Sequence, residues 1–120
     1  FWNEQSGQHV LAARPGWGDR RQCLRTSPDL KQWSDPMLLF QPDSLDTVAP
    51  LGMYGMPVVP VGNRAAYVGL LWIFRNSSSE PVGSFNQFFG TMDADLVYSY
   101  VGARFSRTTR QPFLERIPSP

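Results

Sequence analysis

The sequence predicts an all-β fold of antiparallel strands, and three observations carry that expectation. The first is the stretch from Met56 to Phe74, the most apolar part of the chain. Two runs rich in Val, Leu, Ile and aromatics flank Gly62-Asn63, a pair that tolerates positive φ and suits a hairpin turn. The second is the spread of ten Gly and eleven Pro along the chain as punctuation, with no low-complexity tract. The third is the lack of any amphipathic helical pattern. Ala66 to Phe74 is too apolar to alternate cleanly, which predicts a strand covered on both faces. A buried helix of the same length competes with it. It ranks lower because Val68, Trp72, Ile73 and Phe74 favour a pleated surface and Gly69 weakens a helix.

In order, Phe1-Trp2-Asn3 opens a short strand and Glu4 to Gly7 is a polar turn. His9 to Arg14 returns as a strand and stops at Pro15-Gly16-Trp17-Gly18. Arg20 to Thr26 is a third strand. Ser27 to Trp33 reads as a turn in which Pro28 presets φ and Asp29 bonds nearby backbone amides. Met37 to Phe40 is a fourth strand, and Gln41 to Leu51 a polar loop before the hairpin. Asn76 to Gly90 is a long Ser/Gly/Phe loop, of a length usually tied to function or mobility. Thr91 to Tyr100 is a strand placing Leu96 and Tyr98 opposite Asp95, Val97 and Ser99. A last strand is expected around Pro112 to Glu115.

An internal echo organises these elements. Leu24-Arg-Thr-Ser27 is followed six residues later by Trp33-Ser34, and Leu96-Val-Tyr-Ser99 six later by Phe105-Ser106. The same spacing in the same strand–turn–strand setting predicts two copies of one supersecondary unit. Each would be a four-stranded antiparallel sheet, over residues 1–41 and 54–115, joined by loop 42–53. Sheets of this kind stacked radially form a β-propeller.

At 120 residues the chain is one domain at most, and 42% apolar with 18% charged residues predicts a folded chain rather than a disordered one. Net charge is +1 with scattered basic residues, so no nucleic-acid partner is expected. No segment reaches the length of a membrane span, so no membrane partner is expected either. The single cysteine, Cys23, rules out an internal disulfide and a cysteine-built zinc site, and reads as a small buried hydrophobe. No cofactor or metal is expected. The chain starts at Phe1 and ends at Pro120, and both ends look cut from something longer.

Ser27-Pro-Asp-Leu-Lys-Gln-Trp33 resembles the Ser-x-Asp-Leu-x-x-Trp turn of glycoside hydrolase families 32 and 43, the five-bladed propeller glycosidases. The surrounding order is similar. An aromatic-led strand, Phe1-Trp2, precedes the turn; Met53-Tyr54-Gly55-Met56-Pro57 and the apolar hairpin follow, and then a Leu-x-x-Ser-x-x-Gly unit at Leu96 to Gly102. The resemblance implies about two blades of a five-bladed propeller, with carbohydrate as partner and further blades or other copies of the chain completing the assembly. The departures bear on activity. Gly55 stands where the resemblance implies the general-acid Glu, and Gly cannot transfer a proton. The family's first-blade Asp and its Arg-Asp-Pro motif have no counterpart here, and Val101 replaces the second turn's Asp. The expectation is a glycosidase-like piece, inactive alone, whose acid and base are not both in this chain.

Glycoside hydrolysis needs two carboxyl groups about 5–9.5 Å apart. Asp93 and Asp95 lie on one face of a strand with Cα atoms about 6.5–7 Å apart, and are the pair whose spacing suits that chemistry. Solvent-facing strand entry is the plainer alternative. Asp43 and Asp46 flank the loop before Tyr54 and are candidates for substrate binding, with loop capping as the alternative. Tyr54, Trp72 and Arg75 could form a sugar platform, although a core position suits Trp72. Trp17, between two glycines, is a further candidate aromatic. His9 is the only histidine and has no recognisable nucleophile partner.

Overall fold

A computed structural model describes residues 1–16, 20–46, 51–76 and 90–115. Trp17 and most of the expected 76–90 loop lie outside the described residues. The structure is all-β and antiparallel, with no helix among the described residues. The first sheet is a meander of β1 (Trp2–Asn3), β2 (Gln8–Ala13), β3 (Gln22–Ser27) and β4 (Met37–Phe40). The second holds β5 (Leu51–Gly55), β6 (Val58–Val61), β7 (Ala66–Asn76), β8 (Gly90–Ser99) and β9 (Ser106–Arg107).

β5 and β6 both pair with β7 and act as one interrupted edge strand. The interruption bears Pro57, and Pro60 sits within β6; proline supplies no N–H and is tolerated at a sheet edge. The Pro57 carbonyl still accepts from the Leu70 amide, at 3.1 Å. Along this edge the register shifts between Met53 and Gly55, so Tyr54 is the extra residue of a β-bulge. The strand begins at Leu51, inside the stretch expected as a joining loop. The cause is tertiary: Met53 N–H donates to the Arg20 carbonyl at 2.6 Å, and the Met53 carbonyl accepts from Gln22 Nε2 at 2.9 Å.

The hairpin turn is centred one residue later than expected, on Asn63 and Arg64. Both have positive φ, and Ala65 N–H donates to the Gly62 carbonyl at 3.0 Å. The last strand is also shorter. β9 is two residues long, and Leu114 adds only an isolated bridge to Ala94 in place of a strand over 112–115.

The sheets stack through one face each. Val10 and Leu24 of the first meet Tyr67, Leu71, Ile73 and Val97 of the second in a single buried cluster, completed by Met53, Met56 and Phe105. Each fully buried side chain of this size stabilises by about 1.5–3 kcal/mol relative to exposure. Phe1 packs on Tyr67 with ring centroids 4.8 Å apart. The buried Asn3 holds the first turn through the Gln5 and Ser6 amides and reaches across to the Val101 carbonyl at 2.8 Å. β7 is therefore buried mainly on one face; on the other only Phe74, with Arg20 over its ring, is buried. Tyr67, Gly69, Leu71 and Ile73 point at the first sheet, whereas Trp72 on the opposite face is exposed, against the expected core position.

The echo in the sequence has a structural counterpart. A four-residue connection joins β1 to β2 (residues 4–7) and β6 to β7 (residues 62–65). Ser27 and Ser99 are both buried, and each hydroxyl accepts a backbone N–H from its turn, Asp29 in one and Val101 and Gly102 in the other. Three residues on, Leu30 and Gly102 both adopt positive φ, 62° and 68°. Beyond each turn, Ser34 N–H donates to the Thr26 carbonyl at 2.9 Å and Ser106 pairs with Tyr98, the same offset in both units. Asp29 is structural, as expected: its Oδ1 accepts the Lys31 and Gln32 amides at 2.9 Å each.

At Gly102 a Cβ would stand 2.7 Å from Asn3 Nδ2 and 3.0 Å from the Tyr67 ring, on top of the left-handed backbone. Gly102→Ala is expected to destabilise by about 1–3 kcal/mol. Leu30→Gly, at the matching exposed turn, should leave stability unchanged or raise it. Urea unfolding of both variants checks the pair.

Candidate functional site

Asp93 and Asp95 lie on β8 with side chains on its first-sheet-facing side, because they pair with Ile73 and Leu71 of β7. Both are buried, not solvent-facing. A buried carboxylate needs a partner, and each has an arginine. Arg75, directly across from Thr91, reaches diagonally to Asp93. Arg107 donates from Nε and Nη2 to Asp95 Oδ2, at 2.7 and 2.6 Å. A carboxylate held by a guanidinium is a hydrogen-bond acceptor, and general-acid chemistry asks for a donor. Asp95 Oδ1 is buried without a partner among the described residues.

Arg107 also joins Asp46, with Nη1 2.7 Å from Oδ1. Asp46 closes its own loop by accepting the Asp43 amide at 3.0 Å, and Asp43 accepts the Leu45 amide at 2.9 Å. Arg110 then grips Asp43 through two parallel bonds of 2.8 Å, the strong fork geometry. Asp43, Asp46, Asp95, Arg107 and Arg110 thus form one chain of ion pairs fastening the loop after β4 to the chain after β9. A groove of about 440 Å³ lined by Gln41, Asp43, Ser106, Arg107 and Arg110 opens beside it. Its guanidinium charges are already matched by Asp43, Asp46 and Asp95. Arg110, ahead of the Leu45 amide, holds the Asp43 carboxyl below the usual carboxylate range. The Gln32 and Lys31 amides do the same for Asp29. Burial pushes the Cys23 thiol up against the opposing pull of Arg25.

The aromatic candidates lie on the other face of the same sheet. Met53 pairs with Ile73 on the buried side, so the bulge at Tyr54 turns that ring outward, 6.4 Å from the Phe74 ring. Gly55 pairs with Trp72, whose indole lies over it so closely that a Cβ there would be 2.9 Å away. Tyr54 and Trp72 are each 39% exposed. Two arginines lie against the Tyr54 and Phe74 rings: Arg14 Cζ stands 4.7 Å from the Tyr54 ring centroid, and Arg20 Cζ lies 5.6 Å from Tyr54 and 4.3 Å from Phe74.

The sequence-derived candidates therefore separate. Asp43, Asp46, Asp93, Asp95 and Arg75 belong to ion pairs, whereas Tyr54 and Trp72 are both exposed on the opposite side of the sheet from Arg75. Arg14 is not among the sequence-derived candidates, and Arg107, in the basic group Arg104 to Arg110 that reads as a solvated strand end, is instead buried against Asp46 and Asp95. Alternation along β8 puts Asp95 beside Val97 and Ser99, and recognising that face as the buried one would have called for an arginine partner. Nothing local distinguishes Arg14 from other exposed arginines. Among the described residues, no group of three or more His, Cys, Asp and Glu side chains could hold a metal ion. No family model, curated protein or solved structure matches the chain.

Removing one member of a buried pair leaves the other uncompensated, so Asp95→Ala is expected to lower stability by about 3–5 kcal/mol in urea unfolding. Asp43 acts at the surface and its effect should depend on pH. Its folded value lies below the unfolded one, so its stabilisation is present above the ordinary carboxylate value of about 4 and fades as pH falls through the depressed value. The stability difference between the native chain and Asp43→Asn, measured by urea unfolding at pH 7 and pH 2.5, should shrink at the lower pH.

Proposed function

We propose that the chain is a non-catalytic carbohydrate-binding module built from two propeller-type sheets. The observation that carries the reading is the exposure of Tyr54 and Trp72 on the same side of the second sheet, with Arg14 against the Tyr54 ring. Flat aromatic faces accept the CH groups of a pyranose ring, and a guanidinium beside them donates to sugar hydroxyls or a uronate carboxylate. A rigid pleated sheet holds the rings in place before the ligand arrives, which reduces the ordering cost of binding. The repeated turn geometry and the two four-strand-wide meanders support the propeller part of the reading.

The hydrolase alternative has weaker support. Asp93 and Asp95 face the interior of the two-sheet stack, with β-sheet backbone between them and a sugar resting on Tyr54. Gly55 offers no acid at the position implied by the resemblance to propeller glycosidases. The sheet would have to open for either aspartate to reach a glycosidic oxygen.

A glycan array followed by calorimetry on the best ligand tests the proposal. Binding should weaken at least about tenfold in Tyr54→Ala and in Trp72→Ala, a loss of roughly 1.4 kcal/mol or more. It should persist in Asp43→Asn, and no aryl glycoside should be turned over. Glycan cleavage that disappears in Asp93→Asn would replace this reading with the hydrolytic one.

A further inference from the structure

We infer that the open face of the second sheet docks a second copy of this chain through the open face of that copy's first sheet. The two units provide the template. His9 pairs with Ser27, and Tyr67 with Ser99, so the turns align the sheets residue by residue. On that alignment Val10, Ala12 and Leu24 of the first sheet correspond to Val68, Leu70 and Leu96 of the second.

The first three lie within the interface between the sheets: Val10 and Leu24 are buried and Ala12 packs against them. Their counterparts face away from it and are only half-buried. Around them Val59 is 57% exposed, and Val61 and Tyr98 are exposed as well. The β6–β7–β8 region thus offers an apolar surface of the kind already covered once within the chain. A contiguous apolar surface on an open sheet face is a docking signal.

The complementary surface is present at the other end of the molecule. The first sheet's far side carries Trp2, Leu11 and Leu38, all exposed, with His9 beneath Trp2 at 4.8 Å between ring centroids. Within the chain, a surface like that of the second sheet's open side is met by a sheet's opposite side. A second copy can therefore continue the same stacking head to tail. Such a contact joins two different surfaces and propagates until it closes. Rings of stacked four-stranded antiparallel sheets close at about four to eight sheets, so chains of two sheets close with roughly two to four copies. The occupied region lies towards β6. Trp72 lies at the far end of the same side and corresponds to Arg14, which stays exposed at the end of the covered side of the first sheet.

Sedimentation velocity and light scattering of the full chain, from micromolar to near-millimolar concentration, test the inference. The expected result is association to a closed species of two to four copies. Val59→Lys and Leu11→Lys alter exposed side chains on the two different surfaces, and each should give a monomer with an unchanged unfolding midpoint. Tyr54→Ala should associate like the native chain, which separates this test from that of glycan binding. A native chain monomeric at every concentration would overturn the inference. So would association lost in Val59→Lys yet kept in Leu11→Lys, the signature of a symmetric face-to-face pair.

Discussion

One dry layer between two sheets sets the conditions for the rest of the structure. Val10 and Leu24 on one side and Tyr67, Leu71, Ile73 and Val97 on the other exclude water from a surface that each sheet alone would expose. Polar groups caught at that layer must then be satisfied inside the protein. Asn3 spends its side chain on the first turn and on Val101, and Gln22 donates to Met53. Arg107 is drawn under the loop after β4 to meet Asp95. The exposed Glu4–Arg64 ion pair joins the two matching hairpin turns above the layer, and its contribution is small beside that of the burial.

The layer also decides what the charged residues can do. Asp93 and Asp95 have the spacing of a hydrolytic pair, yet the side of β8 they share is the buried one. Paired with Arg75 and Arg107, they hold strands and loops together. Asp43 and Asp46 extend the same arrangement to the surface through Arg110. In these ion pairs the carboxylates serve cohesion. On the other side of the sheet, the one additional residue of the bulge turns the Tyr54 ring outward, beside Phe74 and on the side that also carries Trp72.

Stacking of this kind has a direction. Each sheet has two unlike sides, and the internal contact joins one kind to the other, leaving one of each open at the ends. Proline at 57 and 60 protects the β5–β6 edge against strand addition, since those positions lack the N–H groups that another strand would bind.

Much of the local structure was legible in the residues themselves. Strand against helix followed from β-branched and aromatic runs, the turn at Ser27 to Trp33 from Pro28 and Asp29, and the doubled unit from the matched spacing around Ser27 and Ser99. These depend on neighbours within a few positions, where φ preference and side chain–backbone bonding act. Which side of a strand is buried is not a local property. Trp72 and Leu71 are equally apolar in the sequence, and only the arrival of the first sheet on the Leu71 side sends one to the core and the other to solvent. The same event buried Asp95 and called Arg107 to it across a turn. The sequence by itself determined pleated strands, their turns and their repetition; the tertiary structure decided the sides, because burial depends on what packs against a residue and not on the residue alone.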